Sequence, residues 1–375
     1  MPALYLHIPF CRKACTYCDF HFSTSARGHD EMAAAIAREI DLRSAEMPPG
    51  PWTSVYFGGG TPSLLSRKHL TALLDAATAA RPLADGAEIT LEANPDDLDA
   101  ESLARLAATG VNRLSIGVQS FRDEDLRFMG RAHDAAQATA CLAAAQAAGF
   151  EDLTIDLIYG TPGLDDSAWR RNLEIAVGFG VAHLSAYALT VEPRTALANA
   201  IERGRIAPLD EEQAARQMDI LVDTLTAAGY EHYEVSNFAL PGHRARHNSG
   251  YWRGAAYLGV GPSAHSFDGE RTRSWNVRNN ARYARAIAAG ELPVERERLS
   301  DRDRYNELVL TRLRTCWGVE LGQVDALGFR DSFLAEVARP LASGLVERDG
   351  DTFRLTRTGR MQADGVSARL FAVAD

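Results

Sequence analysis

The chain lacks the features that mark membrane and secreted proteins. None of its 375 residues lie in a run of the roughly eighteen apolar residues that a spanning helix needs. The first residues show no basic segment followed by a long apolar one, so we expect no secretory signal peptide. Five cysteines are an odd number for a disulfide framework, and three of them fall within eight residues. These absences predict a cytoplasmic protein in a reducing compartment.

An excess of basic charge is also missing. The chain has 40 Lys and Arg residues against 50 Asp and Glu residues, which gives a net charge of −10. Proteins whose main partner is a nucleic-acid backbone usually carry a basic face, so we expect no nucleic-acid partner. Two arginine-rich stretches, at residues 271–285 and 296–304, are interpreted as solvated surface.

The first 190 residues alternate short apolar segments with amphipathic ones. The predicted strands cover residues 3–8, 54–57, 88–93, 113–118, 153–159 and 183–189. The predicted helices between them cover residues 30–45, 66–80, 99–109, 134–148 and 167–179. This order predicts an α/β fold whose parallel strands are joined by right-handed crossovers. Polar residues at the carboxyl ends of such strands should converge on one site.

The pattern changes after residue 190. Further helices are predicted at 210–228, 301–314 and 332–341, followed by a hairpin over 345–355. Helices followed by a hairpin resemble a winged-helix unit, which we interpret as a packing module. We therefore divide the chain into an α/β part at 1–190, an extension at 191–290 and a smaller α+β part at 291–375.

Three cysteines follow the first predicted strand directly. Cys11, Cys15 and Cys18 are spaced by four and three residues, so one tight loop can aim three thiolates at a common point. Thiolates suit iron–sulfur clusters, and three of them leave one iron of a four-iron cluster open to a small chelating molecule. A zinc site with His7 or His21 as fourth ligand is an alternative, as is a coincidence of spacing. Cys141 and Cys316 are interpreted as small buried hydrophobes.

The cysteine loop resembles the C-x-x-x-C-x-x-C signature of the radical S-adenosylmethionine superfamily. This resemblance implies a partial (βα)6 barrel, similar to a TIM barrel, with a [4Fe–4S] cluster and S-adenosylmethionine on the open iron. The segments at 7–11, 58–62, 117–121 and 156–160 are similar, more narrowly, to the oxygen-independent coproporphyrinogen III dehydrogenase group. That resemblance implies contacts with S-adenosylmethionine at positions matching Tyr5, Gly59, Gly60, Thr61, Glu92, Gln119, Arg131 and Asp156. Tyr17 is expected to lie near the adenine.

Two features differ from the dehydrogenases of that group. Phe20 stands where they carry a further cysteine, and ten residues precede Cys11 where they have an extended segment. The sequence HNSGYW at 247–252 is similar to the H-N-x-x-Y-W motif of the HemW subgroup, which binds haem and lacks dehydrogenase activity.

The HemW resemblance implies a haem chaperone, with the dehydrogenase as the alternative function. It implies haem contacts at His247, Asn248, Tyr251 and Trp252, with His232, His243 and His265 as rival iron ligands. The implied partners are haem and the apo forms of respiratory haem proteins. A homodimer and a peripheral membrane association are further expectations. Whether S-adenosylmethionine is cleaved in turnover or has a regulatory role stays open.

Overall fold

The computed structural model describes residues 2–25 and 27–373. Its first half alternates strands and helices, as the sequence predicts. The strands are β1 (Ala3–Ile8), β2 (Trp52–Gly59), β3 (Leu83–Ala93), β4 (Arg113–Gln119), β5 (Asp152–Tyr159) and β6 (His183–Ala188). The helices are α1 (His29–Arg43), α2 (Arg67–Ala80), α3 (Ala100–Ala107), α4 (Asp123–Met129), α5 (Ala135–Ala147) and α6 (Asp166–Gly178). The short helix α4 was not predicted.

The six strands pair in chain order and in parallel, which confirms the predicted α/β fold. Successive residues of a strand point to opposite faces of the sheet. In β1, Leu4 and Leu6 are fully buried in the large core against the helices, whereas Tyr5 and His7 line the inner face. The same alternation continues in the neighbouring strands and gives the barrel an apolar outer layer and a polar interior.

Residues 196–298 extend this sheet at both edges to twelve strands. The added elements are α7 (Ala196–Glu202), α8 (Glu211–Ala227), β7 (Glu231–Glu234), β8 (Asn237–Ala239), α9 (Arg246–Trp252), β9 (Tyr257–Val260), β10 (His265–Phe267), β11 (Thr272–Asn276), α10 (Asn280–Ala288) and β12 (Val294–Arg298). Strand β8 pairs antiparallel with β6, and β9 pairs in parallel with β1. The connection that contains α9 therefore passes from one edge of the barrel to the other.

The helix α9 lies at the base of the barrel. Its first two backbone N–H groups, those of Arg246 and His247, donate to the carboxylate of Glu88 near the start of β3 at 2.8 and 2.9 Å. An acidic group at a helix N-terminus satisfies free N–H donors and complements the helix dipole. Helix α9 is thereby held at the end of the barrel opposite to the carboxyl ends of the strands.

The C-terminal part has a hydrophobic core of its own, between Tyr305 and Leu370. Its elements are α11 (Asp301–Leu313), β13 (Val319–Glu320), α12 (Leu321–Asp325), α13 (Arg330–Ala342), β14 (Val346–Asp349), β15 (Thr352–Leu355), α14 (Arg357–Arg360) and α15 (Ala363–Arg369). Three helices followed by the β14–β15 hairpin confirm the predicted winged-helix-like end. The division of the chain at residues 190 and 290 stays a prediction. No helix among the described residues is both long and apolar enough to cross a membrane.

A buried ion pair fastens α1 to the added strands. Arg43 donates to Glu39 at 2.9 Å, and neither side chain has any exposed surface. Arg43 also donates to the hydroxyl of Ser274 at 3.0 Å, while Asn276 donates to Glu39 at 2.8 Å. Such a pair is stabilising only when the remaining donors and acceptors are satisfied, and here β11 supplies them.

We predict that Arg43→Ala destabilises the fold by about 3–5 kcal/mol, because it leaves the carboxylate of Glu39 buried without its cation. The measurement is urea unfolding followed by circular dichroism. Arg38→Ala is the matched control on the same helix, since Arg38 pairs with exposed Asp41 and should contribute less than about 1 kcal/mol. Equal unfolding midpoints for the two variants would contradict the structural role of Arg43.

Candidate functional site

The cysteine loop leaves β1 at the carboxyl end of the barrel. Its start is held by two backbone bonds, from Cys11 N to Ser23 O at 3.0 Å and from Ser23 N to Pro9 O at 2.9 Å. Its middle is held by Thr16, whose N–H donates to Met129 O at 3.0 Å. Backbone hydrogen bonds therefore hold the cysteine loop in place at its start and in its middle.

The three thiols lie close enough together to influence one another. Burial raises the pKa of Cys11, and it raises the pKa of Cys18 to about 11, with the charge of Cys15 adding to both. Thr61 Oγ1 donates to Cys11 Sγ at 3.4 Å, and Arg131 Nη1 donates to Cys15 Sγ at 3.3 Å. A cationic group between the thiols would offset their mutual repulsion and favour the thiolate forms.

The zinc alternative finds no support in the arrangement of ligands. In the described part of the chain, no three His, Cys, Asp or Glu side chains are grouped so that they could hold one metal ion. His7 Nε2 forms a hydrogen bond with the carbonyl oxygen of His21 at 2.8 Å. His21 is bonded through its own Nε2 to Asn280 at 2.7 Å. A four-iron cluster presents its irons at separate corners, so it does not need its thiolates gathered around one ion.

The glycine run after β2 packs directly against β1. A Cβ atom at Gly59 would lie 2.6 Å from the ring of His7, and one at Gly60 would lie 2.5 Å from the carbonyl oxygen of Phe10. Gly59 also has a φ of 104°, which disfavours a side chain. The glycines are therefore needed for the close approach of two backbones, and they leave the backbone of this turn accessible to a ligand.

Two carboxylates, those of Glu92 and Asp156, lie inside the barrel and form no salt bridge with another described residue. Tyr56 OH donates to Glu92 at 2.7 Å, and the backbone N–H of Gly59 donates to it at 3.2 Å. The loss of water on burial, together with the nearby charge of Asp156, raises the pKa of Glu92 to about 7. Burial likewise raises the pKa of Asp156 to about 6, although Ser115 donates to it at 3.1 Å. These two groups favour a positively charged ligand.

The guanidinium of Arg131 links the carboxyl end of the barrel to the cysteine loop. Its Nη2 donates to Asn94 Oδ1 at 2.5 Å and to Gly117 O at 2.7 Å. Its Nε is buried and has no partner among the described residues. Gln119 lies beside it with a φ of 68°, an uncommon conformation for a residue other than glycine. A bound carboxylate would suit the unused donor of Arg131.

The two predicted tyrosines occupy different parts of the site. Tyr5 stacks on Tyr56 with the ring centroids 6.0 Å apart, and its hydroxyl lies 3.2 Å from His7 Nδ1. Tyr17 packs with Met129 and Leu197 in a small apolar cluster behind the cysteine loop. Tyr5 is thus inside the barrel and Tyr17 at its rim.

Sequence reasoning missed Tyr56 and Asn94, which bond to Glu92 and Arg131 inside the barrel. Tyr56 and Gly58 both lie on the inner face of β2, and Asn94 directly follows β3. The period of two along a predicted strand was a signal that could have identified Tyr56.

The HNSGYW motif does not lie at this site. It forms α9 at the base of the barrel, where the ring of His247 stacks on Tyr56 with centroids 4.9 Å apart. Both ring nitrogens of His247 are engaged, Nδ1 with Ser54 at 2.8 Å and Nε2 with Tyr251 at 2.8 Å. Burial lowers the pKa of His247 to about 3, so the ring stays neutral. Asn248 bonds to Tyr233 at 3.2 Å.

Comparisons with known proteins agree with this geometry. Residues 5–176 match the family model of the radical SAM superfamily, and residues 299–361 match that of the HemN C-terminal domain. The solved structure of coproporphyrinogen III oxidase (HemN) from Escherichia coli, a radical SAM enzyme, is similar with a TM-score of 0.81 and 26% identity. The similarity covers 99% of this chain and 90% of that one.

Curated relatives match over nearly the whole chain. The heme chaperone HemW of Mycobacterium tuberculosis is 40% identical over 97% of this chain and 93% of its own length. The heme chaperone HemW of Bacillus subtilis is 33% identical over 98% of both chains.

Fold and site together define a protein of the radical S-adenosylmethionine superfamily, a class that implies a [4Fe–4S] cluster and S-adenosylmethionine. Within this superfamily, the sequence identity and the coverage of the curated relatives determine the family. The chain belongs to the HemW family.

We predict that the affinity for S-adenosylmethionine rises as the pH increases from about 6 to 8. In the ligand-free chain Glu92 ionises only near pH 7, and an ionised carboxylate attracts the ligand's ammonium and sulfonium charges. Binding is measured by calorimetry on anaerobically reconstituted protein. Glu92→Gln should weaken binding roughly tenfold at pH 8, or about 1.4 kcal/mol, and flatten the pH profile. The control is Glu101→Gln on exposed α3, and a retained pH profile in Glu92→Gln would contradict this assignment.

Proposed function

We propose that this chain is a haem chaperone, which binds haem and delivers it to haem-dependent proteins. The observation that carries the proposal is the likeness to heme chaperone HemW proteins, at 40% identity over 97% of the chain. Phe20, in place of a further cysteine after Cys18, supports the same function. The recipients we propose are apo haem proteins of the respiratory chain. A homodimer and a peripheral membrane association belong to the same proposal.

The three cysteines of the loop are proposed as the ligands of the cluster. Burial and the charges of Cys15 and Cys11 raise the pKa of Cys18, which shows that the three thiols are close together, and Thr61 and Arg131 donate hydrogen bonds to two of the sulfurs. Both observations support this assignment. A donor to a thiolate sulfur stabilises its negative charge and tunes the potential of an iron–sulfur cluster. The cluster with S-adenosylmethionine supplies one-electron chemistry when both are bound.

The remaining side chains of the barrel interior are proposed to hold S-adenosylmethionine. Its ammonium group is matched by the Gly59–Gly60 backbone and by Glu92, and its carboxylate by the free donor of Arg131. Asp156 suits the ribose hydroxyls as an acceptor. Thr61 and Gln119 complete the site from neighbouring strand ends, together with the rings of Tyr5 and Tyr17.

For the HNSGYW motif we propose a structural role at the base of the barrel. Ligation of iron by His247 would require the loss of its bond to Ser54 or to Tyr251. An unpaired buried hydroxyl would then remain, at a cost of about 1–3 kcal/mol. His247 and Asn248 both contact the strands of the sheet. These contacts support a structural role better than an exposed binding site for haem. The roles of Tyr251 and Trp252 in haem binding stay a prediction.

The alternative function is the oxidative decarboxylation of coproporphyrinogen III. The structural likeness to the HemN enzyme favours it, with a TM-score of 0.81 over 99% of the chain. The curated relatives at 33–40% identity carry the name of the chaperone instead. We therefore place the dehydrogenase second.

We predict that Cys15→Ala loses most of its iron and the charge-transfer absorption of the cluster after anaerobic reconstitution. Two thiolates do not hold a four-iron cluster stably. The matched control is Cys141→Ala, since Cys141 is buried in α5 away from the loop and should leave the iron content unchanged. Full iron loading and an unchanged spectrum in Cys15→Ala would contradict the assignment of the loop.

We predict that the reconstituted wild-type chain binds haem saturably, transfers it to an apo haem protein and forms no protoporphyrinogen IX. Haem binding is followed by the Soret band, and the reaction is assayed anaerobically with coproporphyrinogen III and S-adenosylmethionine. Formation of protoporphyrinogen IX without haem transfer would contradict the chaperone function and support the dehydrogenase function. The HemN enzyme serves as the positive control for the assay.

A further inference from the structure

Beyond β1, the inner face of the barrel continues onto β9, β10 and β11. Tyr257 in β9 pairs with Ala3 and with Phe267 in β10, so these residues share one face. His265 stands two residues before Phe267 and lies on the same face at the carboxyl end of the barrel. Directly opposite His265 on β11 is Trp275, with the ring centroids 6.1 Å apart.

His265 differs from the other candidate iron ligands in being exposed and also without a hydrogen-bond partner among the described residues. His232 is stacked on Phe238 at 4.2 Å and bonds to the carbonyl of Val235. His243 is exposed but bonds to Asp152 at 3.0 Å. The ring of His265 is exposed, and among the described residues it forms no hydrogen bond. An imidazole needs such a free nitrogen to ligate iron.

The surroundings of His265 disfavour protonation of its ring. Partial burial lowers its pKa, and Arg273 on the same face lowers it further. Arg273 is itself held by Glu307 at 2.7 Å. Glu295 on β12 accepts from the indole N–H of Trp275 at 3.1 Å, which orients that ring beside His265. A neutral imidazole beside an aromatic face matches the chemistry of a haem site.

A cation and a second aromatic ring border this surface. Exposed Arg278 follows Trp275 by three residues, and one of its N–H groups donates to the carbonyl of Asp19. Asn280 bonds to His21 at 2.7 Å, so both neighbours of Phe20 are fastened to the segment 278–280. The Phe20 side chain is 67% exposed between them.

We infer that haem cargo docks on this surface, with His265 as the axial iron ligand, Trp275 against the macrocycle and Arg278 toward a propionate. The inference rests on the proposed function and names its cargo site. A guanidinium has five donors, and Arg278 uses one of them on Asp19, so it keeps donors for a carboxylate. The site adjoins the cysteine loop, because the same segment anchors both neighbours of Phe20.

The test is titration of ferric haem into the full-length reconstituted chain, followed by the Soret band and by electron paramagnetic resonance. His265→Ala should weaken binding roughly tenfold or more and change the axial-ligand spectrum. Added free imidazole should restore the wild-type spectrum. His243→Ala is the matched control, an exposed histidine on the other side of the barrel, and should bind as the wild type does.

A second variant tests the propionate contact. Arg278→Ala should weaken binding of haem about threefold and leave binding of haem dimethyl ester unchanged. A His265→Ala variant with wild-type affinity and spectrum would overturn this site and leave the chaperone function standing. A wild-type chain that binds no haem would overturn the proposed function and the site together.

Discussion

The close approach of the glycine run to the end of β1 is the contact on which the rest of the site depends. Gly60 N donates to Ile8 O at 2.9 Å, and Thr61 N donates to Phe10 O at 2.6 Å, so the strand pairing continues beyond both strands. This pairing sets where the chain leaves the sheet and therefore where Cys11 begins the loop. The same bond fixes Thr61, whose hydroxyl reaches the sulfur of Cys11. A side chain at Gly60 would separate these backbones and displace the loop from the barrel.

The interior of the barrel favours a charged ligand. Glu92 and Asp156 lie in one low-dielectric space, where burial raises both pKa values and favours their neutral forms. Arg131 offers the opposite charge at the rim, but its bonds to Asn94 and Gly117 hold it beside the cysteine loop. A zwitterionic ligand with an additional positive charge would satisfy the carboxylates and the guanidinium at once. The charges of these three side chains thus favour a ligand of this kind.

The parallel core and the cysteine loop were predictable because their signals are local. Strands such as β1 alternate apolar residues of the outer layer with residues of the inner face, and the spacing of Cys11, Cys15 and Cys18 is visible without knowledge of the fold. The strands β7 to β12 were not predicted, since each has only three to five residues and owes its conformation to pairing with an edge of the barrel. Tyr56 was not predicted as a site residue either, because its role depends on a hydrogen bond to Glu92, which lies 36 residues further along the chain. The motif at 247–252 could be found in sequence, whereas its burial at the barrel base could not.

The two ends of the barrel therefore have different tasks. At the base, α9 is tied to β2 and β3 through Ser54 and Glu88, which gives this end of the barrel a structural role. At the opposite end, two side-chain hydrogen bonds among the described residues, made by Arg278 and Asn280, fasten the segment after Cys18 to the segment that follows Trp275. A macrocycle on that surface would share the guanidinium of Arg278 with the carbonyl of Asp19, the residue next to Cys18. Cargo binding and the state of the cluster would then be linked through one short stretch of chain, and linkage of this kind acts in both directions.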